Sequence, residues 1–401
     1  MTIMYRWISL VFTIVLVPLT VMACADNRSG SERTPLATST AVPTEAAFDE
    51  GLAGQLQAVL EAAVENPETS FPGAILYVSN PDLGTWIGAT GLGEVETKTP
   101  VRPDDKFRAG SIAKTFVSVV TLQLVEEGLF SLDDPLPAVL PEGIATKFPD
   151  SDKITVRMLL NHSSGIPEWI SPAVIEEIAS NPRKVWDVNE FLDLAAGQPP
   201  YFAPGAGYHY SNTDYNLVGL IIEGATGRSW RDEVTKRVIE PLHLENTLLP
   251  EPGDVSIPGN HAHGYAATSD GVIDITAVDP SMAGAAGGGA LVTTVSDLAR
   301  FLDAVLSEEL FQNAETLDDM LAFIDAPDQG GQVGYGLGIQ RYVLPDGTEI
   351  IGSLGMTAGY VAFTGYLPAQ DITIAAAMNW EDDPTPVLLP AVEILVARLS
   401  G

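Results

Sequence analysis

Ser111-Ile112-Ala113-Lys114 is the single Ser-x-x-Lys in the chain, and Tyr210-Ser211-Asn212 is its single Tyr-x-Asn. Three residues apart on a helix, Ser111 and Lys114 share a face about one turn apart. A serine alcohol becomes a nucleophile only when a base takes its proton, and a lysine desolvated in an apolar cleft loses its own proton near neutral pH. Lys114 is one of seven lysines, and it lies between Ile112-Ala113 and Phe116-Val117 rather than on a charged face. A helix beginning at Ser111 would place free N–H groups and its positive end where an oxyanion develops. In isolation the pattern reads as an N-cap serine followed by a solvated lysine. The apolar setting and the Tyr-x-Asn favour chemistry, although Tyr210 also fits a core tyrosine with a satisfied hydroxyl.

Other candidates carry less. The five histidines are His162, His209, His243, His261 and His263. His261-Ala262-His263 would put two imidazoles on one strand face, but no third ligand follows at metal spacing. A structural or surface role is expected, with no metal and no cofactor. The absence of Gly-x-Ser-x-Gly removes an α/β-hydrolase elbow. Gly284 to Gly289 lacks the lysine of a phosphate loop and reads as a tight turn.

The chain has 401 residues, 46% of them apolar, which is ample for a buried core. Its 20 basic and 53 acidic residues give a net charge of −33. That charge repels phosphate backbones and anionic lipid, so no nucleic-acid partner is expected. A small-molecule or peptide substrate is. Residues 1–23 read as an export signal: one positive charge, then an apolar run from Ile8 to Val21 too short for a comfortable membrane span.

Val21-Met22-Ala23-Cys24 resembles the lipobox of bacterial lipoproteins. The resemblance implies that Cys24, the sole cysteine, is lipidated and that the protein is exported and held at the cell envelope, touching membrane only through that anchor. The competing reading is a secreted protein with ordinary cleavage at Ala23-Cys24-Ala25. Residues 24–47, rich in Ser, Thr, Pro and Ala, read as a flexible tether.

The elements that must position Ser111 follow from periodicity. Helical spacing starts the globule at Phe48, Leu52, Leu56, Val59, Leu60 and Ala63. Strand-like runs cover Gly73 to Ser79 and Thr85 to Thr90, and a helix covers Ser111 to Glu127. Helical patterns follow at Asn189 to Ala196, Asn216 to Gly224 and Thr294 to Leu306. Tyr335 to Val343, Glu349 to Ser353, Gly359 to Leu367 and Ile372 to Met378 read as strands, before a helix at Pro386 to Leu399. The fold class is therefore α/β of the α+β type. An antiparallel sheet is built from both chain ends and flanked by helices, with a mostly helical part inserted. In numbers, the globule is 48–401, its α/β part about 48–148 and 290–401, and its helical part about 149–289, with the site expected in the cleft between them.

Phe107 to Phe116 resembles the nucleophile segment of the serine β-lactamase and D-Ala-D-Ala carboxypeptidase superfamily, closest to the class C type and its associated esterases. Leu159 to Pro167, Pro204 to Gly219, Gly287-Gly288-Gly289 with Thr293 to Phe301, and Gly334 to Gly338 are similar too, in the same order. The resemblance implies that Ser111 is acylated and that Lys114 accepts its proton or relays it. Tyr210 would serve as a base for acylation, deacylation or both. Asn212 would bond a substrate carbonyl and orient Lys114.

The third element departs from the pattern. The family has Lys or His, a small residue and Gly on the strand beside the serine; here the stretch is Ser353-Leu354-Gly355-Met356. Gly355 lets the strand lie close to substrate, and the Met356 N–H would be the second oxyanion donor. Ser353 stands where the cation would bind a substrate carboxylate. The expectation is a serine hydrolase of esterase-like or D-amino-acid-peptidase-like type. The alternatives are a β-lactamase or carboxypeptidase that recruits another cation, such as Arg341, and a penicillin-binding sensor that acylates without turnover.

Overall fold

The computed structural model describes residues 48–66, 71–268, 271–283, 291–328 and 331–400. Cys24, the 1–23 leader, the 24–47 tether and the Gly284 to Gly289 turn lie outside them.

Strand alternation organises the fold. In β1 (Gly73–Asn80), Ala74, Leu76 and Val78 enter one core while Ile75 and Tyr77 face the other, as a period-two strand requires. It is followed by β2 (Gly84–Glu94) and β3 (Thr99–Pro100). Short pairs come next in sequence: β4 (Phe107–Arg108) joins β7 (Val292–Thr293), and β5 (Tyr265–Thr268) joins β6 (Gly271–Asp274). The last third supplies β8 (Ile324–Asp325), β9 (Gln332–Tyr335), β10 (Gln340–Val343), β11 (Glu349–Thr357), β12 (Tyr360–Leu367) and β13 (Ile372–Met378).

Nine of these strands form one antiparallel sheet in the order β3-β2-β1-β13-β12-β11-β10-β9-β8. The two chain ends meet at its centre, where β1 and β13 pair from Ala74 opposite Met378 to Ser79 opposite Thr373. Asn379 fastens that seam. Its Oδ1 accepts the Gly73 N–H at 2.7 Å and its Nδ2 donates to the Leu92 carbonyl at 3.0 Å.

Helices α1 (Glu50–Glu65) and, at the C-terminus, Thr385–Ser400 cover one face of the sheet. Leu52, Leu56, Leu60 and Ala63 from the first meet Val387, Ala391, Val392 and Leu395 from the second in one core. Asp49 starts α1 by accepting the Leu52 N–H at 2.8 Å. On the other side lie α2 (Ala113–Glu126), whose leading turn meets β11 and β12, α3 (Asn212–Thr226), which packs on α2, and α4 (Val295–Leu306), which packs on β1, β12 and β13. Helix α2 is buried on nearly every side, its polar Lys114, Thr115, Ser118 and Thr121 included. Among the described residues no helix is long and apolar enough to cross a membrane.

Two expectations are corrected. Tyr335 to Val343 is not one strand: β9 ends at Tyr335 and β10 begins at Gln340. The intervening bend turns inward, with the Gly338 N–H donating to the Leu160 carbonyl at 3.1 Å. Glu349 to Ser353 is also too short, because β11 runs on to Thr357 and makes a hairpin with β12. Beyond Ser353 the strand continues through Leu354-Gly355-Met356-Thr357, where a glycine breaks the apolar run. Their ladder with β12 makes them strand.

Candidate active site

Ser111 occupies a single 3-10 turn, Gly110–Ile112, that leads into α2. Strand β11 lies against this turn, and two glycines permit it. A Cβ on Gly355 would fall 1.9 Å from the Ala109 carbonyl and 2.9 Å from the Ser111 nitrogen. A Cβ on Gly110, whose φ is +54°, would fall 2.5 Å from the Met356 nitrogen. Gly355 and Met356 are thus at the nucleophile, with the Met356 amide beside the Ser111 turn as an oxyanion donor must be.

The fold also brings the sequence candidates together. Lys114 Nζ donates to Ser111 Oγ at 3.0 Å and to Asn212 Oδ1 at 2.7 Å, and the Tyr210 hydroxyl donates to Ser111 Oγ at 2.8 Å. Helix α2 supplies the lysine. The first residue of α3 is Asn212 and the loop just before it supplies Tyr210, while α2 packs on α3. Lys114 Nζ also lies 4.8 Å from the Tyr210 ring centre.

Burial sets the charges. Lys114 is 1% exposed, and desolvation lowers its pKa to about 7 against the opposing pull of Glu168 and Asp214. Burial pushes the Tyr210 phenol well above its ordinary value, a shift its bond to Ser111 only partly offsets. At neutral pH the site therefore holds an amine near its midpoint and a phenol that keeps its proton. This arrangement can take a proton from Ser111 at one contact and deliver one at the other.

A family model described as Beta-lactamase matches residues 45–398. The chain belongs to the beta-lactamase family. It is 30% identical to Esterase EstB of Burkholderia gladioli over 227 residues, 54% of this chain and 57% of the esterase, so it spans little more than half of that relative's length. It is 27% identical to Penicillin-binding protein 4* of Bacillus subtilis (strain 168) over 76% of this chain and 67% of that protein. Among solved structures it is similar to a D-stereospecific amidohydrolase from Streptomyces sp., with a TM-score of 0.75 and 31% identity over 84% of this chain and 97% of that one.

Set within this beta-lactamase fold, the third element is altered in structure as well as in sequence. Ser353 is 4% exposed, with its Oγ 2.6 Å from Thr115 Oγ1, which donates to the Gly338 carbonyl at 2.7 Å. A carbonyl only accepts, so the single Thr115 proton goes there and Ser353 must donate to Thr115. Ser353 thus gives its one proton to Thr115, and its oxygen is left able only to accept. Arg341, the suggested replacement cation, pairs with Glu349 at 2.6 Å. Leu354 turns the other way and packs against the core under α1.

Three features escaped the sequence. Glu168 accepts both the Asn212 N–H and its Nδ2. Beneath Tyr210, fully buried His162 lies 3.2 Å from Asp214, with its ring centre 4.4 Å from that of the tyrosine. Burial lowers the imidazole pKa and raises that of the carboxyl, so desolvation works against charge on both partners. The third feature concerns His263: Glu94 and Glu96 of the distant β2 region approach it so that one ligand atom from each lies within 4.8 Å of the others. Its Nδ1 is 2.7 Å from Asp274. Chain spacing could not show this grouping, because β2 and His263 meet only in the folded sheet.

Proposed function

We propose that this beta-lactamase-family chain forms an acyl-enzyme on Ser111 and hydrolyses neutral esters or amides, in the manner of an esterase or a D-aminoacyl amidase. One observation carries the reading: Ser111 Oγ is held between an amine of pKa about 7 at 3.0 Å and a protonated phenol at 2.8 Å. Neutral Lys114 takes the Ser111 proton as Oγ bonds to the substrate carbonyl carbon. The Ser111 and Met356 N–H groups receive the oxyanion. As the tetrahedral species collapses, the leaving alcohol or amine takes the Tyr210 proton, and Lys114 returns its own to Tyr210. Lys114, neutral again, then accepts a proton from the water that attacks the ester, and Ser111 departs with a proton restored.

The substrate class rests on the third element. Ser353 gives its one proton to Thr115 and Glu349 matches the Arg341 charge, so neither replaces the missing cation for a substrate carboxylate. The similarity to an esterase and to a D-stereospecific amidohydrolase supports neutral acyl groups. The similarity to a penicillin-binding protein keeps a β-lactam-directed enzyme or sensor as the second reading.

The test compares a short-chain nitrophenyl ester, a D-aminoacyl nitroanilide and a chromogenic cephalosporin, with Ser111→Ala as the blank. Ester or nitroanilide turnover should exceed cephalosporin turnover in kcat/KM, and Ser111→Ala should lose turnover and covalent labelling, at least about 10³-fold in rate. Efficient cephalosporin hydrolysis would reverse the substrate assignment. A burst equal to one acyl group per chain, with no steady phase, would establish the sensor.

A further inference from the structure

The chemistry needs the Asn212 carbonyl, not its amide nitrogen, to face Lys114, yet an asparagine amide has the same shape either way round. Once Lys114 has lost its proton, its nitrogen carries one lone pair. A flipped Asn212 would donate an N–H into that lone pair and take it from Ser111. Something must hold the amide in the productive sense, and Glu168 is placed to do so. Asn212 Nδ2 donates to Glu168 Oε2 at 2.8 Å, while Oδ1 accepts from Lys114 at 2.7 Å. A carboxylate oxygen only accepts, so the nitrogen end is fixed on its side and the oxygen end on the side of the lysine.

Glu168 is itself constrained. Its Oε1 accepts the Ile170 N–H at 3.0 Å, its own N–H donates to the Tyr201 hydroxyl at 3.1 Å, and its carbonyl accepts from Gln198 at 2.9 Å. Oε2 also accepts the Asn212 N–H at 2.7 Å, at the start of α3. The Ser211 side chain leaves that helix end uncapped and bonds the Pro167 carbonyl. A negative group is favoured there by the helix dipole. Its charge also reaches the lysine, since Glu168 is the leading group that opposes the lowering of the Lys114 pKa by burial.

We propose that Glu168 is a positioning residue for the hydrolase reaction: it locks the Asn212 amide and thereby keeps the Lys114 lone pair on Ser111. The proposal rests on the function proposed above. The simpler alternative is that Glu168 caps α3 and matters to stability alone.

The full chain is compared with Glu168→Ala, Glu168→Gln and Glu168→Asp, measuring melting temperature, kcat, KM and rate against pH. In parallel, the Lys114 side chain is titrated without substrate by carbon-13 NMR at the lysine ε position, its signal assigned among seven lysines with Lys114→Ala. Glu168→Ala should lower kcat about 10²-fold, with KM within a few-fold, as expected when a reacting group is misplaced. Its acid limb and its Lys114 titration should both move to lower pH, because the negative charge that favours the ammonium is gone. Glu168→Gln should show the same displacement with a loss of about tenfold, at the low end of what a displaced base costs. Glu168→Asp keeps the charge, so its limb should stay while kcat falls.

A lower melting temperature with unchanged kcat per folded molecule and an unmoved limb would make Glu168 a cap and overturn the proposal. If the wild type shows no turnover or labelling dependent on Ser111, the hydrolase reading falls. The substrate-free titration still judges the Glu168–Lys114 link, and equal midpoints in wild type and Glu168→Gln would sink it.

Discussion

The Lys114 amine titrates near 7 when folded, against an ordinary value of 10.5, because burial removes the water that would stabilise its charge. As the base must be neutral, kcat/KM should rise through a midpoint near 7 and fall about tenfold for each pH unit below it. A pH–rate profile on the ester checks this. Stability follows the same proton. Between about 7 and 10.5 the unfolded chain holds a proton that the folded chain lacks, so this group makes stability rise with pH across that window. Lys114→Met has no such slope. Its melting temperature relative to wild type should therefore be highest in acid and decline above pH 7, while turnover is absent throughout. Residue types together with the family resemblance singled out Ser111, Lys114, Tyr210 and Asn212, which the structure brings into one hydrogen-bonded group. Neither could find Glu168, one of 53 acidic residues and 44 positions from the amide it holds. Nor could they show that the neighbour of the lysine, Thr115, occupies the hydroxyl of Ser353.

At the scale of elements, the site is a fit between the Ser111 turn and β11. Gly355→Ala would drive a methyl group to 1.9 Å from the Ala109 carbonyl, so strand and turn must separate. Overpacking of this kind costs about 1–3 kcal/mol, and a displacement of about 1 Å at the oxyanion edge lowers rate about 10²-fold. Denaturant unfolding and ester kinetics on the one variant would measure both; a near-normal rate would remove β11 from the oxyanion role. Most elements were legible because their apolar residues form a short, nearly unbroken run, as in β13, or recur at helical spacing, as in α4. The failure at Tyr335 to Val343 has a physical source. Gly336 and Gly338 interrupt the alternation, and a Cβ on Gly336 would meet the Met320 carbonyl at 2.2 Å, so the backbone turns inward where an extended run was expected.

Across the whole molecule, a net charge of −33 surrounds the site with a repulsive field for anions. Raising salt from about 10 mM to about 300 mM shortens the Debye length from about 30 Å to well under 10 Å. The kcat/KM of an anionic cephalosporin should then rise several-fold while that of the neutral ester stays flat; equal responses would show that the field does not reach the cleft. The composite sheet was legible from strands at both chain ends, but its register was not, since nothing local pairs Ala74 with Met378. That central seam also governs the order of events during synthesis. Ser111, Lys114 and Tyr210 leave the ribosome early and lie at the leading ends of two helices that pack together, whereas β11 arrives about 140 residues after Asn212, and β13 later still. Pairings this distant close slowly, after the cost of ordering a long loop has been met. A nascent or truncated chain would carry Ser111, Lys114 and Tyr210 without the strand that packs against the Ser111 turn, so the proposed hydrolysis should begin only once β13 has found β1.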